Sequence, residues 1–269
     1  MEGQIKDLLK ELGIHQPFAS ALKELEGEEE ELTGDALLQH FRAEIPRYRA
    51  LTRRLFDLPR GTRVTIRPYD GPIIAYIDYR GHFHTIVKVN TSRSRTRRSL
   101  ASLIPHETFP GHALHYTLRE ANLAGNPLAN FFLYHTPEAT VVEGLGMWAP
   151  SLVSPAPQSL RDQALALINQ WRNAIRDNAH LLYQDQGKTE AEITEYLQDV
   201  GHYDDPSVPG FFAFIGAPFF DVYAFSYSYG QALITTLHQN AIRTGRERQF
   251  LDFLYRHHTT PNMLRRRFS

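Results

Sequence analysis

Apolar residues recur every three to four positions through the first 60 residues, the period of an amphipathic helix. "MEGQIKDLLKELGI" is one such run. "TGDALLQHFRAEIPRYRALTRRLFDL" is another, with Thr33 or Asp35 as its cap and Pro46 as a point for a kink. Between them the acidic stretch from Glu24 to Glu31 reads as a solvated break. The period then shortens to two. "TRVTIRP", "PIIAYIDY" and "HFHTIVKVN" alternate apolar and polar positions and are separated by "YDGP" and "YRGH", which carry turn residues. These runs predict three strands of a small antiparallel sheet between about Thr62 and Asn90. From Arg97 the helical period returns. Helices are expected over Arg97–Ala124, Pro137–Pro150, Ser159–Gln186, Glu190–Val200, Phe219–Arg243 and Arg246–Arg256. The fold class is therefore α+β, mainly α. Residues 1–60 form a helical segment and 61–269 the larger remainder, together one continuous unit.

Composition narrows the function. Apolar residues make up 42% of 269, enough for a substantial core. With 29 basic against 30 acidic residues the net charge is −1, which argues against a nucleic-acid surface. No run approaches the roughly 20 apolar residues of a membrane span. The opening helix pattern has no apolar signal core, which fits the cytoplasm and leaves the periplasm open. Cysteine is absent, so disulfides and thiolate metal sites are excluded. A zinc ion here would rest on His, Asp and Glu alone.

"IPHETFPGHALH", Ile104 to His115, carries the chemistry. In the common zinc-hydrolase motif two histidines sit one helical turn apart with a glutamate after the first. Here His106 and His112 are six apart, and on a straight helix they would diverge by about 240°. Pro110 cannot donate to the carbonyl of residue 106 and its ring crowds that carbonyl. Gly111 permits backbone angles that other residues avoid. The helix should break at Thr108–Gly111 and resume near His112, bringing both imidazoles to one ion. "TVVEGLGMWA" offers Glu143 on the next helix. A carboxylate there is the third ligand in thermolysin-like zinc enzymes, and Gly144 and Gly146 would let another helix approach closely. His115, one turn beyond His112, reads as core or as a residue behind the ligands.

"HETFPGHALH", "VVEGLGMWA" and "YAFSYSYGQALI" together resemble the bacterial family known as domain of unknown function 885, regarded as zinc peptidases. Its pattern is H-E-x-x-P-G-H, then E-G-x-x-x-x-A, then a late Y-x-x-x-Y-x-x-G helix. "VNTSRSRTRRSLASLIPHE" and "RDNAHLLYQDQGKTEAEITEYL" are similar to other parts of it, so the likeness runs from about Leu55 to the end. Ala113 departs from the family, which often has a second histidine there, and members are commonly longer on the amino-terminal side. The resemblance implies a helical zinc-peptidase-like domain holding one zinc ion on His106, His112 and Glu143. That ion would acidify water and polarise a carbonyl. Glu107 would act as general base and pass the proton to the leaving amine. Tyr227, then Tyr223, would donate to the oxyanion. His180 is a weaker candidate for that contact, and the strand edge around Phe83, Thr85 and Val89 would pair with an extended peptide. Hydrolysis of short peptides is the expected function. A zinc amidase on a non-peptide substrate and a catalytically silent binding domain are the alternatives. Oligomeric state is not readable.

Overall fold

The computed structural model describes residues 1–27, 30–71, 73–154, 159–203, 208–216 and 223–269. In chain order the elements are α1 (Glu2–Glu11), α2 (Phe18–Glu26), β1 (Glu31–Leu32), α3 (Gly34–Thr52), β2 (Arg63–Tyr69), β3 (Ala75–Tyr79), β4 (His84–Asn90), β5 (Arg95–Thr96), α4 (Arg97–Glu107) and α5 (His112–Asn122). Then come α6 (Pro137–Trp148), a 3-10 turn (Ala149–Leu152), α7 (Leu160–Gln184), α8 (Glu190–Asp199), α9 (Val208–Ile215), α10 (Phe225–Arg243), α11 (Glu247–Arg256) and α12 (Pro261–Phe268). The class is α+β and mainly α, as the periodicity predicts. The short α9 and α12 were not expected. The proposed helix start at Phe219 lies outside the described residues. None of the helices in them is long and apolar enough to cross a membrane.

The chain divides into two units, residues 1–29 with 155–224 and residues 30–154 with 225–269. The expected boundary at residue 60 is corrected, because α3 belongs with the sheet. Leu37, Leu38 and Phe41 share a core with Val87 and Val89. The Tyr48 hydroxyl donates to the Ala101 carbonyl at 3.1 Å, and Arg49 donates to that of Thr62 at 2.7 Å. Proline 46 lies inside α3, which continues through it. Thr33 stands at the cap position, yet its hydroxyl donates to the Thr91 carbonyl instead of capping.

The first unit is helical. Ile5, Leu22, Ile168, Trp171, Leu197 and Phe211 form its core, and Arg172 pairs with Glu26. Capping boxes at Ser159/Asp162 and Thr189/Glu192 start α7 and α8, because each side chain satisfies a backbone N–H left free in the first turn.

In the second unit the strand order is β2-β4-β3. The three strands are present but not all antiparallel, since β2 runs parallel to β4 with Val64 opposite Thr85 and Ile66 opposite Val87. The cause lies in the two connections. The turn at 80–83 closes a β3–β4 hairpin through Gly81, His82 and Phe83, all at positive φ, so β3 takes one side of β4. Just past β2, the Gly71 carbonyl accepts from Asn90 Nδ2 at the far end of β4 at 2.6 Å. Only the other side of β4 is left for β2. Alternation then turns Ile66, Val87 and Val89 inward against the helices. Across the unit α6 packs along α10, with Gly144 against Gly230. A Cβ on Gly144 would come within 2.3 Å of the Gly230 backbone, so the two helices meet backbone to backbone.

Candidate metal centre

The break in the helix falls where Pro110 and Gly111 predict it. α4 ends at Glu107 and α5 starts at His112. Thr108 N–H and Thr108 Oγ1 both bond the Ile104 carbonyl, at 2.9 and 2.6 Å. Gly111 N–H reaches back to the Pro105 carbonyl at 2.9 Å. The reason for glycine differs from the expected one. Its φ is −76°, and the demand is for space. A Cβ at 111 would lie 1.9 Å from the His106 carbonyl oxygen. The Tyr255 hydroxyl, wholly buried, donates to the Pro110 carbonyl at 2.9 Å and ties the turn to α11.

Through this turn the two imidazoles meet. Their ring centroids are 4.6 Å apart with planes at 86°. Glu143 projects from α6 towards both, its Oε2 3.6 Å from His106 Nε2 and 3.7 Å from His112 Nε2. All three side chains are at least nine-tenths buried. These separations are long for hydrogen bonds. They suit atoms sharing an ion, because two ligands at about 2.1 Å in tetrahedral geometry stand about 3.4 Å apart. Among the described residues His106, His112 and Glu143 are the group that could hold a metal ion. Two nitrogens and one carboxylate oxygen form a donor set that suits zinc. Gly146 completes the cradle, since a Cβ there would lie 2.6 Å from Cε1 of the His106 ring.

Electrostatics separates the two carboxyl groups. Burial pushes Glu107 up to about 7; Glu143 adds to the rise and His106 opposes it. Its Oε2 is buried with no hydrogen-bond partner among the described residues. Burial also works to raise Glu143, but His112 and His106 outweigh it and hold that carboxyl well below the ordinary range. His115 is not drawn into the cluster. It is 1% exposed, and burial, with Arg119, His112 and His258 nearby, pushes it well below the ordinary histidine value.

Of the other expected site residues, Tyr227 comes close, its ring 6.5 Å from that of His106 at an interplanar angle of 23°. Tyr223 is buried and precedes α10 rather than standing one turn before Tyr227 on it. His180 is buried in α7. Both belong to the unit formed by 1–29 and 155–224, whereas the metal group lies in the other. The strand-edge expectation is corrected. β4 is the central strand, bonded on both sides, and Thr85 is 1% exposed, so no substrate can add to it. Phe83 sits in the hairpin turn with its N–H on Glu120. His82 lies in the same turn, and His84 Nε2 is 3.0 Å from Thr65 Oγ1.

Sequence reading passed over several residues that build this region. Glu120, on α5, accepts from the Tyr79 hydroxyl and from the N–H groups of His82 at 2.9 Å and Phe83 at 3.1 Å, joining the helix that carries His112 to the hairpin tip. Arg119 pairs with Glu138 at 2.6 Å, and Glu138 with His258 at 2.8 Å.

No known protein family matches the chain by sequence. No curated protein matches it either. Solved structures do match in fold. One is described as "the putative lipoprotein from Colwellia psychrerythraea", with TM-score 0.75, 18% identity, and coverage of 98% of this chain and 48% of the other. Another is described as "a putative lipoprotein of unknown function from Shewanella oneidensis", with TM-score 0.74, 15% identity, and coverage of 98% and 53%. The chain thus spans about half the length of the structures it matches. At these identities the likeness is one of fold.

Proposed function

We propose that the chain is a zinc-dependent hydrolase of peptide bonds, acting on short peptides, with Glu107 as its general base. The observation that carries the reading is the convergence of two imidazole nitrogens and one carboxylate oxygen beside a second, buried carboxyl whose Oε2 has no partner among the described residues. A buried unpaired group costs about 1–3 kcal/mol, so leaving Glu107 there weakens the fold. The resemblance of the His106–His112, Glu143 and Tyr227 segments to the domain-of-unknown-function-885 pattern points the same way. A bound zinc ion would supply Lewis-acid polarisation and a more acidic water. Glu107, pushed up to about 7, is tuned to take a proton near neutral pH and return it to the leaving amine. Tyr227, on the His106 side, would donate its hydroxyl to the developing oxyanion. An extended peptide would add to β3, which is an edge strand and packs against α4 and α5.

The test is zinc content and peptide-library cleavage in parent, Glu107→Gln and Glu143→Gln proteins. The parent should bind one zinc and cleave. Glu107→Gln should keep its zinc and lose about 10²–10⁴ in turnover. Glu143→Gln should lose both. A parent that binds zinc and cleaves no peptide would overturn the peptidase reading in favour of a non-peptide substrate or a silent domain. Glu107→Gln protein with parental turnover would remove Glu107 from the mechanism.

A further inference from the structure

The seam between α5 and α6 holds a second polar contact besides the metal group. Arg119 lies seven residues beyond His112 on α5, and Glu138 lies five residues before Glu143 on α6. The helices therefore run in opposite directions along the seam. The contacts stand about 10 Å apart along α5 and about 7.5 Å along α6 at 1.5 Å per residue. The Arg119 side chain is 0% exposed and its Nη1 is 2.6 Å from Glu138 Oε1. The guanidinium lies over the Tyr116 ring, 4.7 Å from its centroid, while its Nε and Nη2 have no partner among the described residues. His258, just after α11, closes the contact. Its Nδ1 is 2.8 Å from Glu138 Oε1 and its Nε2 is 3.0 Å from the Leu128 carbonyl.

Stability alone does not explain this arrangement. A buried ion pair gives up the hydration of both charges, and apolar side chains of similar volume often serve as well or better. Here two guanidinium nitrogens have no hydrogen-bond partner among the described residues. What a charged pair does provide is a single register. Apolar ridges can slide with little penalty, whereas a short Arg–Glu bond is lost within about an ångström. The ligand group needs that register, because metal–ligand distances tolerate only about 0.2 Å.

We propose that Arg119 and Glu138, with His258, are positioning residues that fix α5 against α6 so that His112 faces Glu143 across one metal ion. The inference rests on the metal-site reading above. Its test is the double variant Arg119→Met/Glu138→Leu, which replaces the pair by apolar groups. Thermal unfolding of the metal-free protein should show a midpoint at or above the parent's. Zinc affinity, from competition with a chromophoric chelator, should fall about 10–100-fold, the range for residues that orient metal ligands. The visible spectrum of the cobalt-loaded protein should shift, reporting altered ligand geometry. A folded double variant with parental zinc affinity and an unchanged cobalt spectrum overturns the inference while leaving the metal site standing. Should that variant not fold, His258→Asn carries the test at the half-exposed edge. Severalfold weaker zinc binding supports the proposal, and parental affinity overturns it. A parent that takes up no zinc sinks the site reading and this inference together.

Discussion

Replacing Gly146 by alanine separates the demands of the fold from those of the site. The new Cβ would stand 2.6 Å from Cε1, 2.8 Å from Nε2 and 2.9 Å from Nδ1 of His106. Ordinary carbon contacts begin near 3.5 Å, so the ring must retreat by about 1 Å. The atoms in the way belong to the end of a side chain, and the ring can swing. Alanine in a helix gains up to about 1 kcal/mol over glycine. Overpacking costs about 1–3 kcal/mol, which leaves the apo protein weakened by about 0–2 kcal/mol. The site has no such latitude. A 1 Å retreat of Nε2 is several times the tolerance of a metal–ligand bond. Zinc affinity should therefore fall about 10–100-fold, or about 1.4–2.7 kcal/mol. The assay is chelator competition for zinc on parent and variant, with thermal unfolding of both metal-free forms. Gly3→Ala, whose Cβ meets nothing within 4 Å, is the control. A Gly146→Ala protein with parental zinc affinity and an unchanged unfolding midpoint would show that the ring does not sit against α6, and would refute the cradle.

Gly144→Ala should behave in the opposite sense. Its Cβ meets the backbone of Gly230 at 2.3 Å, which cannot swing away, so α6 and α10 must part at a cost of at least about 3 kcal/mol in denaturant unfolding. Tyr255→Phe leaves the buried Pro110 carbonyl without its donor and should lose about 1–3 kcal/mol, read from the same unfolding curves, with weaker zinc binding as the turn relaxes. Glu120 gives a pH dependence. Burial works to raise its carboxyl, but the Tyr79 hydroxyl and the N–H groups of Phe83 and His82 together lower it below the ordinary value. A depressed carboxyl contributes stability above its unfolded pKa and loses it as pH falls through the lower, folded value. Glu120→Gln should therefore flatten the acid side of the stability–pH profile below about pH 4.3 and leave the neutral side parallel to the parent's. An acid limb as steep as the parent's would show that Glu120 does not cap the hairpin.

The convergence of His106, His112 and Glu143 was legible because its logic is local. His106 and His112 bracket a proline and a glycine, and the helix breaks between them. Glu143 lies on the next helix beside two glycines. Each of these glycines has a separate steric use, one against Gly230 and one against His106. Strand order was not legible. Alternation says which face of a strand is buried but not which neighbour it takes, so the central β4 could be mistaken for an edge. The unit boundary was hidden for a related reason. The composition "SPAPQS" at residues 154–159 marks one boundary, but nothing in the opening helices reveals that α1 packs on α7 while α3 joins the sheet.

The residues packed around the candidate ligands were the least legible, and the cause is sequence separation. Arg119 and Glu138 are 19 apart, Glu138 and His258 are 120 apart, and Tyr255 reaches back 145 residues to Pro110. None of these residue types in isolation signals a role. A buried arginine reads as surface from its chemistry, since arginine is almost never fully buried unless paired. Its burial becomes meaningful only when its partner is seen on the helix that also carries Glu143. A motif names the atoms that would touch the metal. The contacts that make their distances reproducible come from elsewhere in the chain, and the substitutions that separate metal affinity from stability are aimed at those.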